Sequence, residues 1–93
     1  MEEAKTAPGK KSPESAARSH MAIGEWLKNE RSRRRMTQTE LGAKLGRNQR
    51  YVSRLESGQQ KMDLVEFAVI CRALNKEPVE TFRQLQRSWG DGG

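Results

Sequence analysis

The sequence contains little of what disulfides, metal sites and membrane spans require. It has one cysteine, Cys71, and one histidine, His20, among 93 residues. A single thiol excludes a disulfide within the chain, and these two side chains are too few for a zinc site. No run approaches the ~18 apolar residues of a membrane span, and no secretory signal pattern opens the chain. We therefore predict a soluble cytoplasmic protein with no metal, no cofactor and no membrane partner.

The residue sets that catalysis requires are also absent from the sequence. It offers no paired carboxylates, no nucleophile beside a base and no phosphate-binding loop. Ser53 and Cys71 have no histidine in the predicted folded part to activate them. Aromatic residues make up only 5% of the chain, which disfavours the stacking platforms of RNA-binding proteins although the charge allows RNA as a partner. We predict that the protein is not an enzyme.

Positive charge is abundant, and it is concentrated in the middle of the chain. The formal net charge is +6. Residues 28–61 hold ten Lys/Arg against three Glu, a net of +7, whereas residues 62–93 carry a net of −1 and residues 1–27 are balanced. A local excess of this kind is typical of a protein that binds a polyanion, although a solvated basic surface would have the same composition.

The length and composition predict one small domain with two flexible ends. Residues 1–21 are rich in Lys, Ser, Ala, Pro and Glu and have no apolar periodicity, so we predict a disordered extension. Ser19-His20-Met21 also resembles a cloning scar, in which case Met21 is the natural start. A third alternative is a basic arm that contacts DNA through Lys10, Lys11 and Arg18. We predict the folded domain over 22–89 and a frayed tail over 90–93.

Residues 37–57 predict two short helices joined by a tight turn. The first should start at Thr37, which forms a capping box with Glu40 unless Glu40 pairs with a basic side chain instead. Asn48 is a good N-cap for the second, over 49–56. Gly42 indicates a close crossing of another helix and Gly46 marks the corner, while the inward positions are Leu41, Leu45, Val52 and Leu55.

The outer face of the second of these helices carries the candidate base contacts. Its polar side chains are Gln49, Arg50, Ser53 and Arg54. Amide and guanidinium groups on one exposed helix suit the base edges of the DNA major groove. Arg34, Arg35 and Arg47 are candidates for phosphate contacts, although cations at the end of helix 1 also suit the helix dipole.

Three more helices complete an all-α, compact five-helix bundle. Helix 1 is predicted over about 22–34, with Ile23 and Leu27 inward and Trp26 at the edge of the core. Helix 4 should run from an Asp63 cap to about Leu74, and its inward residues are Leu64, Phe67, Ile70, Cys71 and Leu74. Helix 5 should start near Pro78, and its inward residues are Val79, Phe82, Leu85 and Trp89. Val65 and Val69 fall off the helix 4 stripe, so they are candidates for a dimer interface or are merely scattered exposed valines.

The chain resembles the lambda-repressor/Cro-type helix-turn-helix family from about Ile23 to Phe82. The resemblance depends on Arg31, on Thr37-Gln38-x-Glu40-Leu41, on Gly46 and on Val52-Ser53-x-Leu55-Glu56-x-Gly58. It implies a bundle of five helices that binds pseudo-palindromic operators as a homodimer. By position it also implies base contacts from Gln49, Arg50 and Arg54, phosphate contacts from Gln38 and Asn48, and a structural ion pair between Arg31 and Glu56.

Four positions depart from the family pattern. Gly42 replaces a usual alanine, Arg35 a usual glycine, and Arg47 and Lys76 usual apolar residues. We expect Arg35 to strain the exit from helix 1, and Arg47 to add charge on the DNA side at the expense of one core contact.

The residues and the resemblance together predict a sequence-specific transcriptional regulator of double-stranded DNA. We expect a repressor that acts as a homodimer. The alternative is an antitoxin, in which the same domain binds a toxin partner and represses its own operon.

Overall fold

The computed structural model describes residues 13–89, which form five helices and contain no strand. The helices are α1 (Pro13–Arg33), α2 (Gln38–Lys44), α3 (Gln49–Glu56), α4 (Leu64–Ala73) and α5 (Pro78–Trp89). The all-α prediction and the helix-turn-helix formed by α2 and α3 are confirmed. The predicted disorder of the first twelve residues and the predicted frayed tail over 90–93 lie outside the described residues.

Helix α1 starts nine residues earlier than predicted, so the predicted disorder is wrong for residues 13–21. The fixed φ of proline suits the first turn of a helix, where Pro13 lies, and Ala17 has high helix propensity. Residues 13–21 can be helical without apolar periodicity, because residues 22–33 already form a helix. Each added residue extends that helix and avoids the unfavourable free energy of nucleation.

The starts of α2, α3 and α4 are fixed by side-chain caps, as their sequences predict. Thr37 Oγ1 accepts from the Glu40 amide at 3.0 Å and Glu40 Oε1 accepts from the Thr37 amide at 2.8 Å, so the capping box prevails over a surface ion pair. Asn48 Oδ1 caps α3 by accepting from the Tyr51 amide at 3.0 Å. Asp63 caps α4 and forms a second capping box with Glu66.

The core forms where α1, α2, α3 and α4 meet. Its buried members are Leu27, Leu41, Tyr51, Val52, Leu55, Ile70 and Leu74. A second cluster of Phe67, Cys71 and Leu85 is joined to it by Trp26 and Met62, both of which contact the two clusters. Burial of this apolar surface supplies most of the stabilisation of a small domain.

Three positions predicted to lie in the core are exposed, and two of them lie in the first turn of a helix. Leu64 and Val79 are 79% and 63% exposed, because each lies in the first turn of its helix, beyond the reach of the neighbouring helices. Phe82 is 44% exposed, although its ring contacts Phe67 with the centroids 6.4 Å apart. The buried stripe of α5 consists instead of Thr81 and Leu85.

Helix α3 is held by two close backbone approaches at glycines. A Cβ on Gly24 would lie 2.5 Å from the Glu56 carbonyl oxygen and 2.6 Å from that of Leu55, so α1 can pack against the end of α3 only at glycine. A Cβ on Gly42 would lie 2.9 Å from the Asn48 carbonyl oxygen. The expected close approach at Gly42 is confirmed, and its neighbour is the turn that leads into α3.

Candidate nucleic-acid interface

The two faces of α3 differ sharply in polarity and burial. Val52 and Leu55 are 0% and 2% exposed and lock the helix to the core. Gln49, Arg50 and Arg54 are exposed on the opposite face, and Ser53 is half-buried between the two faces. Among the described side chains, no carboxylate pairs with Arg50 or Arg54, so both guanidinium groups remain available to an external acceptor.

A buried ion pair ties α1 to the end of α3. Arg31 Nε lies 2.6 Å from Glu56 Oε2 and Arg31 Nη2 lies 3.1 Å from Glu56 Oε1, the bidentate geometry in which arginine and carboxylate bind most strongly. The hydrogen bond to Glu56 raises the pKa of Arg31 above its usual value. Arg31 Nη1 also donates to the Met36 carbonyl at 2.7 Å, which fixes the loop before α2. The pair implied by the family resemblance is therefore present.

Gln38 connects this ion pair to the outer face of α3. Its Nε2 donates to Glu56 Oε1 at 2.9 Å, and its Oε1 accepts from Gln49 Nε2 at 2.6 Å. The side chain predicted to contact phosphate is thus bound at both ends of its amide, with one Nε2 hydrogen left over. Asn48 uses its Oδ1 as the α3 cap and leaves its amide nitrogen at the surface.

The three candidate phosphate contacts from arginine lie in different surroundings. Arg34 Nη1 lies 2.7 Å from Glu30 Oε1 and also donates to the Glu30 carbonyl at 2.9 Å. Arg35 is exposed with a φ of +54°, a left-handed conformation that is unfavourable for a side chain with a Cβ. Arg47 is exposed and its guanidinium carbon lies 4.3 Å from the centroid of the Tyr51 ring, a cation–π contact.

Glu30 is a buried anchor that the sequence analysis missed. Its side chain is 7% exposed, and it pairs with Arg33 at 3.2 Å, Arg34 at 2.7 Å and Lys76 at 3.8 Å. The Arg33 and Arg34 pairs follow the i,i+3 and i,i+4 spacing of a helix, so the sequence contained a signal for them. The Lys76 contact depends on the loop between α4 and α5 folding back onto α1, which no local pattern predicts.

Tyr51 fixes the start of α3 against α4. Its hydroxyl donates to Glu66 Oε2 at 2.7 Å. Burial and this hydrogen bond raise the pKa of Tyr51 to about 12, so the ring remains neutral and continues to donate at neutral pH. The tyrosine thus contacts Glu66 on one side and Arg47 on the other.

Val65 and Val69, the candidate dimer contacts, lie on the surface of α4 at 72% and 43% exposure. They border a groove whose other walls include Leu45, Arg47 and Tyr51. The groove therefore adjoins the face on which the candidate DNA contacts lie.

Residues 13–89 contain neither a metal-binding cluster nor a membrane-spanning helix. No group of three or more His, Cys, Asp or Glu side chains is arranged to hold a metal ion. Cys71 is fully buried, and burial raises the pKa of its thiol to about 11. None of the helices has the length and hydrophobicity that crossing a membrane requires.

Comparison with known proteins supplies a family match and similar folds. A family model described as a helix-turn-helix domain matches residues 22–84. Among solved structures, the chain is similar to an XRE-family like protein from Pseudomonas syringae pv. tomato str. DC3000, with 32% identity, a TM-score of 0.71, and 78% of this chain and 89% of that chain covered. The fold is also similar to that of the clp gene regulator ClgR from C. glutamicum, with 24% identity, a TM-score of 0.68, and coverage of 77% and 94%. No curated protein matches the sequence at the significance required.

Proposed function

Because the chain belongs to the helix-turn-helix domain family, of the lambda-repressor/Cro type, and is a DNA-binding transcriptional regulator, we propose that it is a repressor that binds a pseudo-palindromic operator as a homodimer. The observation that carries the proposal is the outer face of α3. Three side chains with strong donors, Gln49, Arg50 and Arg54, are exposed there on a helix whose opposite face is buried. A rigid helix with such a face suits the major groove.

The candidate side chains divide by chemistry into base contacts and phosphate contacts. Arg50 and Arg54 can donate two hydrogen bonds to guanine O6 and N7, and Gln49 can bind adenine N6 and N7. Ser53 lies between them and suits either base. The phosphate contacts proposed are Gln38, Asn48, Arg35 and Arg47, together with Arg34 where its bond to Glu30 leaves a hydrogen free.

The dimer would form through α4, where Val65 and Val69 leave apolar surface exposed. Two recognition helices on one face of DNA must lie about 34 Å apart, so the symmetric interface must leave the outer face of α3 uncovered. A domain of this size also has a small core, and a second copy would add to its buried apolar surface.

Selection of bound duplexes from a random pool tests the function directly. We expect an enriched sequence with two inverted half-sites. Arg54→Ala should lose its preference at one G·C pair in each half-site by roughly 5- to 150-fold, the range of a good bidentate contact, with less effect on other positions. Equal weakening for every duplex would contradict the assignment of Arg54, and no binding to any duplex at low salt would contradict the function.

Sedimentation with and without the selected duplex tests the dimer. We expect two protomers per operator, and Val69→Lys should reduce that to one because a buried charge without a partner is unfavourable. Lys substitution at exposed Val79, on α5, is the matched control. A single protomer bound by the unmodified chain would exclude the dimer.

The antitoxin alternative is favoured by a second apolar groove, between α1, α4 and α5. Its lining includes Ile23, Met62, Leu64, Phe67 and Phe82. A toxin partner would occupy apolar surface of this kind and leave the DNA face open. A toxin-like reading frame beside the gene would favour this alternative, and substitution of Leu64 by Lys should then abolish toxin binding without changing the selected DNA sequence.

A further inference from the structure

Four side chains form a hydrogen-bonded line from the interior of the domain to the outer face of α3. Arg31 binds Glu56 at 2.6 and 3.1 Å, Glu56 accepts from Gln38 at 2.9 Å, and Gln38 accepts from Gln49 at 2.6 Å. One end is buried, since the Glu56 side chain is 4% exposed. The other end is the exposed Gln49, a proposed base contact.

The direction of every hydrogen bond in this line follows from the carboxylate. Glu56, paired with an arginine, has only acceptor atoms. Gln38 must therefore present its Nε2 to Glu56, which turns its Oε1 toward Gln49. Gln49 in turn must present Nε2 to Gln38, because two carbonyl oxygens in that place would repel each other. A 180° flip of the Gln38 amide would break two hydrogen bonds, and a flip of the Gln49 amide would break the one bond that joins it to Gln38.

The line determines which hydrogen-bonding groups of the Gln49 amide remain available to a base. Its Oε1 remains as an acceptor and one Nε2 hydrogen remains as a donor. Adenine shows the matching pair in the major groove, a donor at N6 and an acceptor at N7. Guanine shows two acceptors, O6 and N7, and would need both Nε2 hydrogens of a glutamine. One of those hydrogens is already bound to Gln38.

We propose that Glu56, acting through Gln38, is a positioning residue that sets the amide of Gln49 to accept adenine and to reject guanine. The proposal depends on the proposed function, since it assumes that Gln49 faces a base. It gives the buried ion pair between Arg31 and Glu56 a second role, in selecting the operator sequence, in addition to joining α1 to α3.

The test uses the full chain and duplexes that carry the selected sequence. The position that Gln49 contacts is identified as the one at which Gln49→Met loses the preference of the unmodified chain. Affinities are then measured for duplexes with A·T or G·C at that position. Gln38→Met keeps the length of the side chain, severs the line and leaves the Arg31–Glu56 pair intact. Since Gln38 is half-buried in the first turn of α2, the variant should fold, and circular dichroism checks that it does.

We expect Gln38→Met to lower the ratio of adenine to guanine affinity at least about threefold, part of the roughly 5- to 150-fold that a bidentate contact supplies. The change should come mainly from better binding of guanine, because the released Nε2 can donate both hydrogens. In the Gln49→Met background, Gln38→Met should not change the ratio further. Gln84→Met, at an exposed site on α5, is the control and should leave the ratio unchanged.

A second variant tests the buried carboxylate itself. In Glu56→Gln the new amide can donate to Gln38 as well as accept, so the direction of the line is no longer imposed. We expect the ratio to fall as in Gln38→Met. If Glu56→Gln does not fold, an unchanged ratio in Gln38→Met still overturns the proposal.

The other outcomes overturn the proposal in distinguishable ways. A loss of affinity in Gln38→Met that is equal for all four bases would mean that Gln38 only contacts phosphate. A lower ratio in Gln38→Met with an unchanged ratio in folded Glu56→Gln would remove Glu56 from base selection. In both cases the proposed function stands. If the unmodified chain selects no sequence, the proposed function itself fails.

Discussion

The arginines at the end of α1 and those on α3 have the same chemistry and opposite surroundings. Arg31, Arg33 and Arg34 each contact a buried carboxylate, Glu56 or Glu30. Arg50 and Arg54 have no carboxylate partner among the described side chains. Net charge therefore overstates the charge available to DNA. Arginines that stabilise the fold are neutralised within it, whereas the unpaired ones remain free for a partner that brings its own negative charge.

The two groups also differ in what their loss would leave behind. Removing Arg31 leaves the buried Glu56 carboxylate without a counter-ion, which is costly, whereas Glu30 keeps two partners when either Arg33 or Arg34 is removed. Removing an α3 arginine leaves only solvent in its place. We therefore expect stability measurements to distinguish the groups before any DNA is added.

The largest effect should come from Arg31→Ala. Glu56, whose side chain is 4% exposed, would lose its partner, and we expect the free energy of unfolding to fall by about 3–5 kcal/mol, measured by urea denaturation. Arg54→Ala, the matched control on α3, should change it by less than about 0.5 kcal/mol. Equal effects of the two substitutions would show that Arg31 stabilises the fold no more than an unpaired arginine does.

Glu30→Gln should have a smaller effect. The carboxylate is buried, but its two arginine partners are more exposed to water than Arg31 is. We therefore expect a loss of about 1–2 kcal/mol in the free energy of unfolding. The control is Glu80→Gln, which removes an exposed pair with Arg83 and should cost less than about 0.5 kcal/mol. If the two losses are alike, Glu30 is not an anchor.

Arg35→Gly should stabilise the domain. Glycine tolerates the left-handed backbone at this position, and we expect a gain of about 0.5–1 kcal/mol after the greater chain entropy of glycine is counted. Arg35→Ala removes the same charge without relieving the backbone and should show no such gain in thermal unfolding. If both variants also lower the salt dependence of DNA binding, this arginine contributes to binding at the expense of stability.

Arg34→Ala should have the smallest effect on DNA binding. The sequence alone predicts a phosphate contact, but the guanidinium is held by Glu30. We expect the slope of log affinity against log salt to change by less than that of Arg47→Ala, which should lower it by about 0.9, the value for one phosphate contact. A full loss of one contact in Arg34→Ala would show that an ion-paired arginine also binds phosphate.

The sequence predicted most of the candidate site because the site is local. Asn48, Gln49, Arg50, Ser53 and Arg54 lie within seven residues, and one amphipathic helix fixes which of them point outward. The Arg31–Glu56 pair came from the family resemblance instead, since its members are 25 positions apart. The line through Gln38 was missed, because each bond in it joins residues at least 11 positions apart.

Most of the errors have a common physical origin at the ends of helices, although Phe82 is exposed in the middle of α5. Leu64 and Val79 continue the apolar stripes of α4 and α5, but no helix reaches far enough to cover them. Residues 13–21 lack a stripe and are nevertheless helical, because they extend a helix that is already formed. Periodicity predicts which face of a helix is apolar, but it does not predict where the neighbours of that face end.

The sequence by itself determined the helices, their caps, the turn at Gly46 and the polar outer face of α3, because these depend on residues within about one turn of each other. Only the tertiary structure decided which arginines are neutralised and which remain available. That decision depends on where the buried carboxylates of Glu30 and Glu56 come to lie, and packing between α1, α3 and the loop after α4 places them there.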